Sequence, residues 1–198
     1  MAFTVGITGG IASGKTIVAK IFEILGYPVY YSDIRAKDLM NEDVVIKQGL
    51  RFLFGDEVYV SDTLNRPYLA EKIFNSPSLR EKVNSIVHPV VRKDFEIWTA
   101  QQNSLLVFQE SALLFETGSY KSFDAVILVV ADENLRIQRI VERDNISNEE
   151  AIKRIQAQLP DSEKRKRTKW VVENNEKQFV TQQILKLIEQ LIAELRLV

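Results

Sequence analysis

The sequence predicts an α/β protein built on a parallel sheet with helices on both faces. Three observations predict it. Strand-length apolar runs alternate with helical patterns along the 198 residues. Those runs are continuously apolar rather than alternating, as strands buried on both faces require. The first of them feeds a glycine-rich loop that opens a helix.

Residues 3–8 read as a short buried strand, and 16–25 as a helix ended by Gly26, which accepts the left-handed conformation of a C′ position. A second strand, 28–31, ends at Ser32-Asp33. From 34 to 102 the pattern is almost wholly helical, with breaks near Gly55-Asp56, Asn65-Arg66-Pro67 and Ser76-Pro77. At the last break, Ser76 as N-cap and Pro77 at the first helical position start a helix well. Residues 105–108 form a third strand and 125–130 a fourth. A helix over 133–143 follows, then another opened by Ser147 and Glu150 as a capping-box pair. A fifth strand at 170–172 precedes a long amphipathic helix, 178–197, whose apolar stripe is wide enough to cover the sheet or to carry an interface.

Composition bounds the function. A length of 198 residues suits one α/β domain, and 45% hydrophobic content supplies its core. A net charge of −1 gives no hint of a nucleic-acid or membrane surface. The absence of cysteine removes disulfides and thiolate metal sites and suits a reducing compartment. The start of the chain has no signal-peptide pattern, and the longest apolar run, 125–131, is too short to span a bilayer. These features predict a cytoplasmic protein.

Gly9-Gly10-Ile11-Ala12-Ser13-Gly14-Lys15-Thr16 fits G-x-x-x-x-G-K-[ST], and its strand–loop–helix setting is the one in which that loop binds a nucleoside triphosphate. Backbone N–H groups surround the phosphates, Lys15 adds a point charge, and the Thr16 hydroxyl suits Mg²⁺. Ligands of open α/β sheets bind beyond the carboxyl ends of the strands. Ser32-Asp33, Gln109-Glu110 and Ala131-Asp132 are therefore expected there. Asp33 fits an acid–base position beside a transferring phosphate and fits a helix N-cap equally well; Asp132 suits an N-cap better than a metal-side carboxylate. Arg136, Arg139 and Arg143 share one helix face, with Arg154 and Gln158 on the next segment. Spacing alone favours a solvated face over a phosphate-neutralising lid. Lys164 to Arg167 is a solvated charge run. The single histidine, His88, precedes Pro89, where a helix boundary is expected.

The chain resembles the dephospho-coenzyme A kinase family over about residues 3–175. The matching blocks are Val5-Gly6-Ile7-Thr8-Gly9-Gly10-Ile11, Ser32-Asp33-Ile34, Leu64-Asn65-Arg66 with Leu69-Ala70 and Ile73-Phe74, and His88-Pro89. Further on they are Leu113-Leu114-Phe115-Glu116, Arg139 with Arg143-Asp144, Arg154 with Gln158, and Glu173-Asn174. The loop alone is generic; the joint order of the blocks is specific. The resemblance implies transfer of phosphate from ATP, with Mg²⁺, to the ribose 3′-hydroxyl of dephospho-coenzyme A.

It also implies a P-loop kinase fold of the nucleoside-monophosphate-kinase type, one domain with a five-stranded parallel core (about 1–33, 104–135 and 168–198), a helical substrate-binding insertion (about 34–103) and a lid (about 136–167). Asp33, Lys15, Arg139 and Arg143 become candidate catalytic residues. Gly9, Gly10, Ile11, Ala12, Ser13, Gly14, Lys15, Thr16, Ile17 and Asn174 become nucleotide contacts, and Thr16 a magnesium ligand. Thr8, Asp33, Arg66, His88, Leu114, Glu116 and Arg154 become substrate contacts. A monomer or weak homo-oligomer, with no nucleic-acid or membrane partner, completes the expectation.

The chain departs from the family pattern at Tyr31, where an acidic residue is usual, and at Lys37, Ala112 and Thr168-Lys169. Ala12 replaces a frequent glycine and is expected only to tighten the loop. The residues taken by themselves also admit another small-molecule P-loop kinase, or a regulatory NTPase. Against the latter, the chain has no Asn-Lys-x-Asp sequence, and its third strand is followed by Gln109-Glu110 rather than Asp-Glu.

Overall fold

The structure, a computed structural model, describes residues 2–74 and 76–195. The chain divides into two compact units. One runs to Tyr31 and resumes at Gln102; the other is Ser32–Gln101. The second unit thus begins earlier than the insertion expected from sequence and takes Asp33 with it.

The first unit contains strands β1 (Phe3–Gly9) and β2 (Val29–Tyr31) around helix α1 (Lys15–Ile24). Its strands are completed after residue 102, and the second unit's elements intervene in chain order: α2 (Ser32–Glu42), α3 (Val44–Phe54), β3 (Tyr59–Val60), β4 (Thr63–Leu64), α4 (Arg66–Phe74) and α5 (Pro77–Ala100). The first unit then continues with β5 (Leu106–Glu110), β6 (Ala125–Val130), α6 (Glu133–Asp144), α7 (Asn148–Gln156), α8 (Asp161–Arg165), β7 (Trp170–Glu173) and α9 (Val180–Leu195).

The sheet of the first unit has the order β2-β5-β1-β6-β7, with every pairing parallel. Side chains alternate across it, as the pleat requires. Val5, Ile7, Ile127 and Val129 face a core shared with Phe22 of α1 and with Ile184, Leu187 and Leu191 of α9. Val126, Leu128 and Val130 face a second cluster with Leu114 and Phe115. Phe22 stacks on Phe108 at 4.0 Å between ring centres. The stripe of α9 therefore covers the sheet; the end expected for that helix, Leu197, lies outside the described residues. Gly26 takes φ +88° after α1, and the Tyr27 and Gly26 amides donate back to Phe22 O and Glu23 O. That is the helix stop expected from sequence.

The second unit corrects the sequence reading three times. Asp43 caps α3 by accepting the Ile46 amide at 3.0 Å, a break that the helical pattern hides. A small antiparallel hairpin, β3 with β4, turns through Ser61 and Asp62, both at positive φ. Its turn lacks the Asn-Gly pair that marks such hairpins most strongly. Helix α5 does not stop at His88 but runs through Pro89, because Val83, Val87, Val91 and Phe95 bury one continuous face across the proline. Ser76 caps α5 as expected, at 3.3 Å from the Leu79 amide. Arg35 grips Asp94 with two hydrogen bonds of 3.0 and 3.1 Å, tying α2 to α5. Among the described residues, no helix is long and apolar enough to cross a membrane.

Candidate active site

The loop between β1 and α1 is held by close packing at each of its glycines. A Cβ on Gly9 would fall 2.1 Å from Val129 O, one on Gly10 2.3 Å from the Arg136 guanidinium, and one on Gly14 2.1 Å from the Asn174 amide nitrogen. Of the three, Gly14 alone takes a positive φ, +93°, as N-cap of α1. Gly9 and Gly10 serve proximity rather than a left-handed backbone. The loop's other left-handed residue is Ala12, at φ +59°. Alanine there carries strain that glycine would not, which corrects the expectation that it only tightens the loop. Lys15 Nζ folds back to Gly10 O at 3.2 Å. Thr16 and Ile17 are exposed at the start of α1, where the Ile17 amide donates to Gly14 O at 3.0 Å.

Side chains from later in the chain grip this loop. Arg136, 5% exposed, donates from Nε to Ile11 O at 2.9 Å and pairs with Asp161 at 3.1 Å. Gln158 Oε1 accepts the Ile11 amide at 2.7 Å. Arg139 reaches Ala12 O at 3.3 Å and Glu176 at 3.1 Å. Asn174, buried, donates to Ser13 O at 2.9 Å. Arg143 behaves differently: it grips Asp144 with two bonds of 2.7 and 2.9 Å, and Arg154 shares that same carboxylate at 2.7 Å. Of these two candidate catalytic arginines, Arg139 lies on the loop and Arg143 in a carboxylate pair.

At the carboxyl edge of the sheet, Tyr31, Glu110 and Ile7 are level by register. Gln109 and Glu110 are the last residues of β5 rather than the loop beyond it. Tyr31, in the place of the family's usual acid, donates its hydroxyl to Glu23 at 2.8 Å. Burial first, and then that bond and charge, hold its phenol far above the ordinary range. Asp132 occupies the N-cap position of α6 without accepting a capping bond. Its amide donates to Asn175 Oδ1 at 2.7 Å and its carboxylate meets Lys177 at 3.4 Å. Thr8 Oγ1 and Ser13 Oγ are buried without a hydrogen-bond partner, two polar atoms at the root of the loop.

Two expected substrate residues have structural tasks. Leu114 is 2% exposed and packs in the second core cluster. Glu116 Oε1 accepts the Leu159 amide at 3.3 Å and lies 2.8 Å from Nζ of the fully buried Lys164. That contact is an ion pair rather than a well-aligned hydrogen bond. Lys164 is therefore not part of a solvated charge run.

Within the second unit, Asp33 is exposed in the first turn of α2, which begins at Ser32. It is an acidic residue at a helix N-terminus rather than the N-cap itself. His88 is half-buried on α5; burial, then Arg92, lower its pKa, and the charge of Asp33 opposes them. Arg66 is exposed at the start of α4, beside an open groove of about 500 Å³ edged by Asn41, Val60 and Leu64.

The profile of the dephospho-CoA kinase family matches residues 3–179. The chain belongs to that family. A dephospho-CoA kinase of Bacteroides fragilis is 40% identical over 189 residues, spanning 95% of this chain and 92% of its own. One from Porphyromonas gingivalis is 45% identical over 155 residues, 78% of this chain and 77% of its own. Among solved structures, a Thermus thermophilus protein superposes with a TM-score of 0.82 at 34% identity, covering 98% of both chains. The dephospho-CoA kinase of Campylobacter jejuni gives 0.70 at 25% identity, covering 96% of this chain and 98% of its own. A shikimate kinase from Acinetobacter baumannii shares the fold, with a TM-score of 0.58 at 18% identity.

In this dephospho-CoA kinase family member Arg136 and Gln158, which the sequence places only in the arginine row and the Arg154–Gln158 block, both touch the loop. Helical spacing finds the arginine row but does not say which member turns inward. The apolar surroundings of α6 decide that, since Ile140, one turn from Arg136, is fully buried.

Proposed function

We propose that this protein transfers the γ-phosphate of ATP to the ribose 3′-hydroxyl of dephospho-coenzyme A, yielding coenzyme A and ADP, and acts as a cytoplasmic monomer or weak homo-oligomer. The observation that carries the reading is the glycine cradle of residues 9–16, where Val129 O, the Arg136 guanidinium and the Asn174 amide crowd Gly9, Gly10 and Gly14 in turn. Such a loop brings backbone N–H groups against phosphate oxygens at the start of a helix, where the dipole favours negative charge.

In this reading Lys15 would neutralise charge on the β- and γ-phosphates and the Thr16 hydroxyl would hold Mg²⁺. The Thr16 hydroxyl, exposed at the start of α1, is an oxygen donor that fits a metal brought in with ATP. Bound there, Mg²⁺ supplies charge neutralisation to the phosphates. Asp33 accepts the proton of the 3′-hydroxyl, and Arg139 supports the phosphate side of the loop from Ala12 O. Phosphoryl transfer asks little covalent chemistry of the protein, so positioning and charge are its main contributions.

The test is ADP release followed with and without dephospho-coenzyme A, and the product's new phosphate located by ³¹P NMR. ADP formed only with the acceptor, and phosphate on the 3′-oxygen, support the reading. Release that ignores the acceptor would overturn it.

A further inference from the structure

Ile11 is gripped on both sides of its backbone. Its amide donates to Gln158 Oε1 at 2.7 Å, and its carbonyl accepts from Arg136 Nε at 2.9 Å. An amide N–H can only donate, so the oxygen of Gln158 faces the loop. The next residue, Ala12, holds the strained φ of +59°. The two peptides around Ile11 are thus fixed immediately before the loop's strained turn.

Gln158 is itself placed. It follows α7, with its amide bonded to Ile155 O at 3.1 Å. The next amide, Leu159, donates to Glu116 Oε1, and the buried Lys164 returns to that same carboxylate at 2.8 Å. A carboxylate beside the second core cluster therefore sets the segment that carries Gln158.

We infer that Gln158 is a positioning residue for the phosphate-binding loop: it fixes the Gly10–Ile11 peptide so that the N–H groups that follow point toward the nucleotide's phosphates, with Glu116 and Lys164 setting Gln158 in turn. This rests on the reading of residues 9–16 as an ATP site. Gln158 contributes to affinity for the phosphate chain and touches no reacting atom.

Calorimetric affinities for ATP and for dephospho-coenzyme A, measured separately, test it. Gln158→Met keeps the length and lacks the acceptor, and a cavity of about 560 Å³ bordering Gln158 gives the new side chain room. ATP binding by Gln158→Met weakens about tenfold, the scale of one backbone donor left unsatisfied, while dephospho-coenzyme A binding stays within about twofold. Gln158→Glu restores the acceptor but sets a negative charge beside the phosphates, so its readout is the Ile11 amide proton by NMR without ATP. That proton loses its hydrogen-bonded downfield shift in Gln158→Met and recovers it in Gln158→Glu. Unchanged ATP affinity in Gln158→Met, equal losses for both ligands, or an Ile11 amide shift that does not recover in Gln158→Glu would each overturn the inference. Wild-type protein that binds no ATP would overturn the reading of the loop, and the inference with it.

Discussion

The amide nitrogen of Asn174 donates to Ser13 O at 2.9 Å and stands 2.1 Å from the point a Cβ on Gly14 would occupy. The residue after β7 thereby seals the underside of the loop after β1. Gly14→Ala meets two obstacles, this contact and a φ of +93°. It is expected to lose about 2 kcal/mol or more, a fall in Tm of roughly 4–8 °C for a chain of this size. Asn174→Ala in the same chain removes the clash and leaves the backbone strain, so the double variant recovers part of the loss. Strictly additive melting shifts would show that the contact carries no energy.

Arg139 and Arg143 are expected to differ in kinetics. Arg139 bonds the loop at Ala12 O, whereas Arg143 is occupied by Asp144. Arg139→Ala lowers kcat by about 10²-fold or more, as loss of charge stabilisation in a transition state does. Arg143→Ala changes kcat several-fold less. Steady-state kinetics of the two variants decide it, and equal losses would return both arginines to one common role.

Much of this was legible in the sequence. Continuous apolar strands between helices specify a buried parallel sheet, and its five strands appear within one or two residues of their expected ends. The loop of residues 9–16 was legible because its chemistry is local. What escaped depends on partners far along the chain. Gln158 lies 147 positions from Ile11, and nothing in its neighbourhood announces the contact. The helix through Pro89 escaped for a related reason: local backbone preference places a boundary there, and burial of Val83, Val87, Val91 and Phe95 overrides it.

His88 makes stability pH-dependent with a definite sign. Burial and Arg92 lower its folded pKa, so the unfolded chain binds the proton more readily. Stability from this site is full above the unfolded value of about 6.5 and declines as pH falls below it. Denaturant melts between about pH 7.5 and 5 should show the decline, and His88→Gln should flatten it. As the single histidine of the chain, His88 titrates unambiguously by NMR. Its pKa should drop further in Asp33→Asn, where the opposing charge is gone. A pKa at or above the ordinary value would sink this account.

Ala12→Gly is expected to stabilise the protein. Alanine at φ +59° costs about 1 kcal/mol relative to glycine even after glycine's greater freedom in the unfolded chain is counted. A rise of roughly 2–4 °C in Tm is the expected reading. ATP affinity should change little if the grip on Ile11 holds the loop, and a lower Tm would show that the strain is relieved elsewhere.

Asp33→Asn separates catalysis from helix electrostatics. Asp33 lies in the first turn of α2, where a carboxylate favours the helix dipole by about 0.3–1 kcal/mol. Asparagine keeps the size and much of the hydrogen bonding, so melting should shift by no more than that interaction. The substitution also deletes the proton acceptor. In a loose transition state the proton leaves late and positioning matters most, so residual activity is expected. General-base removal still predicts a fall in kcat of about 10²-fold or more. ATP affinity, which rests on the loop of residues 9–16, should survive nearly unchanged. Full turnover in a folded Asp33→Asn protein would leave the carboxylate with its helix role alone.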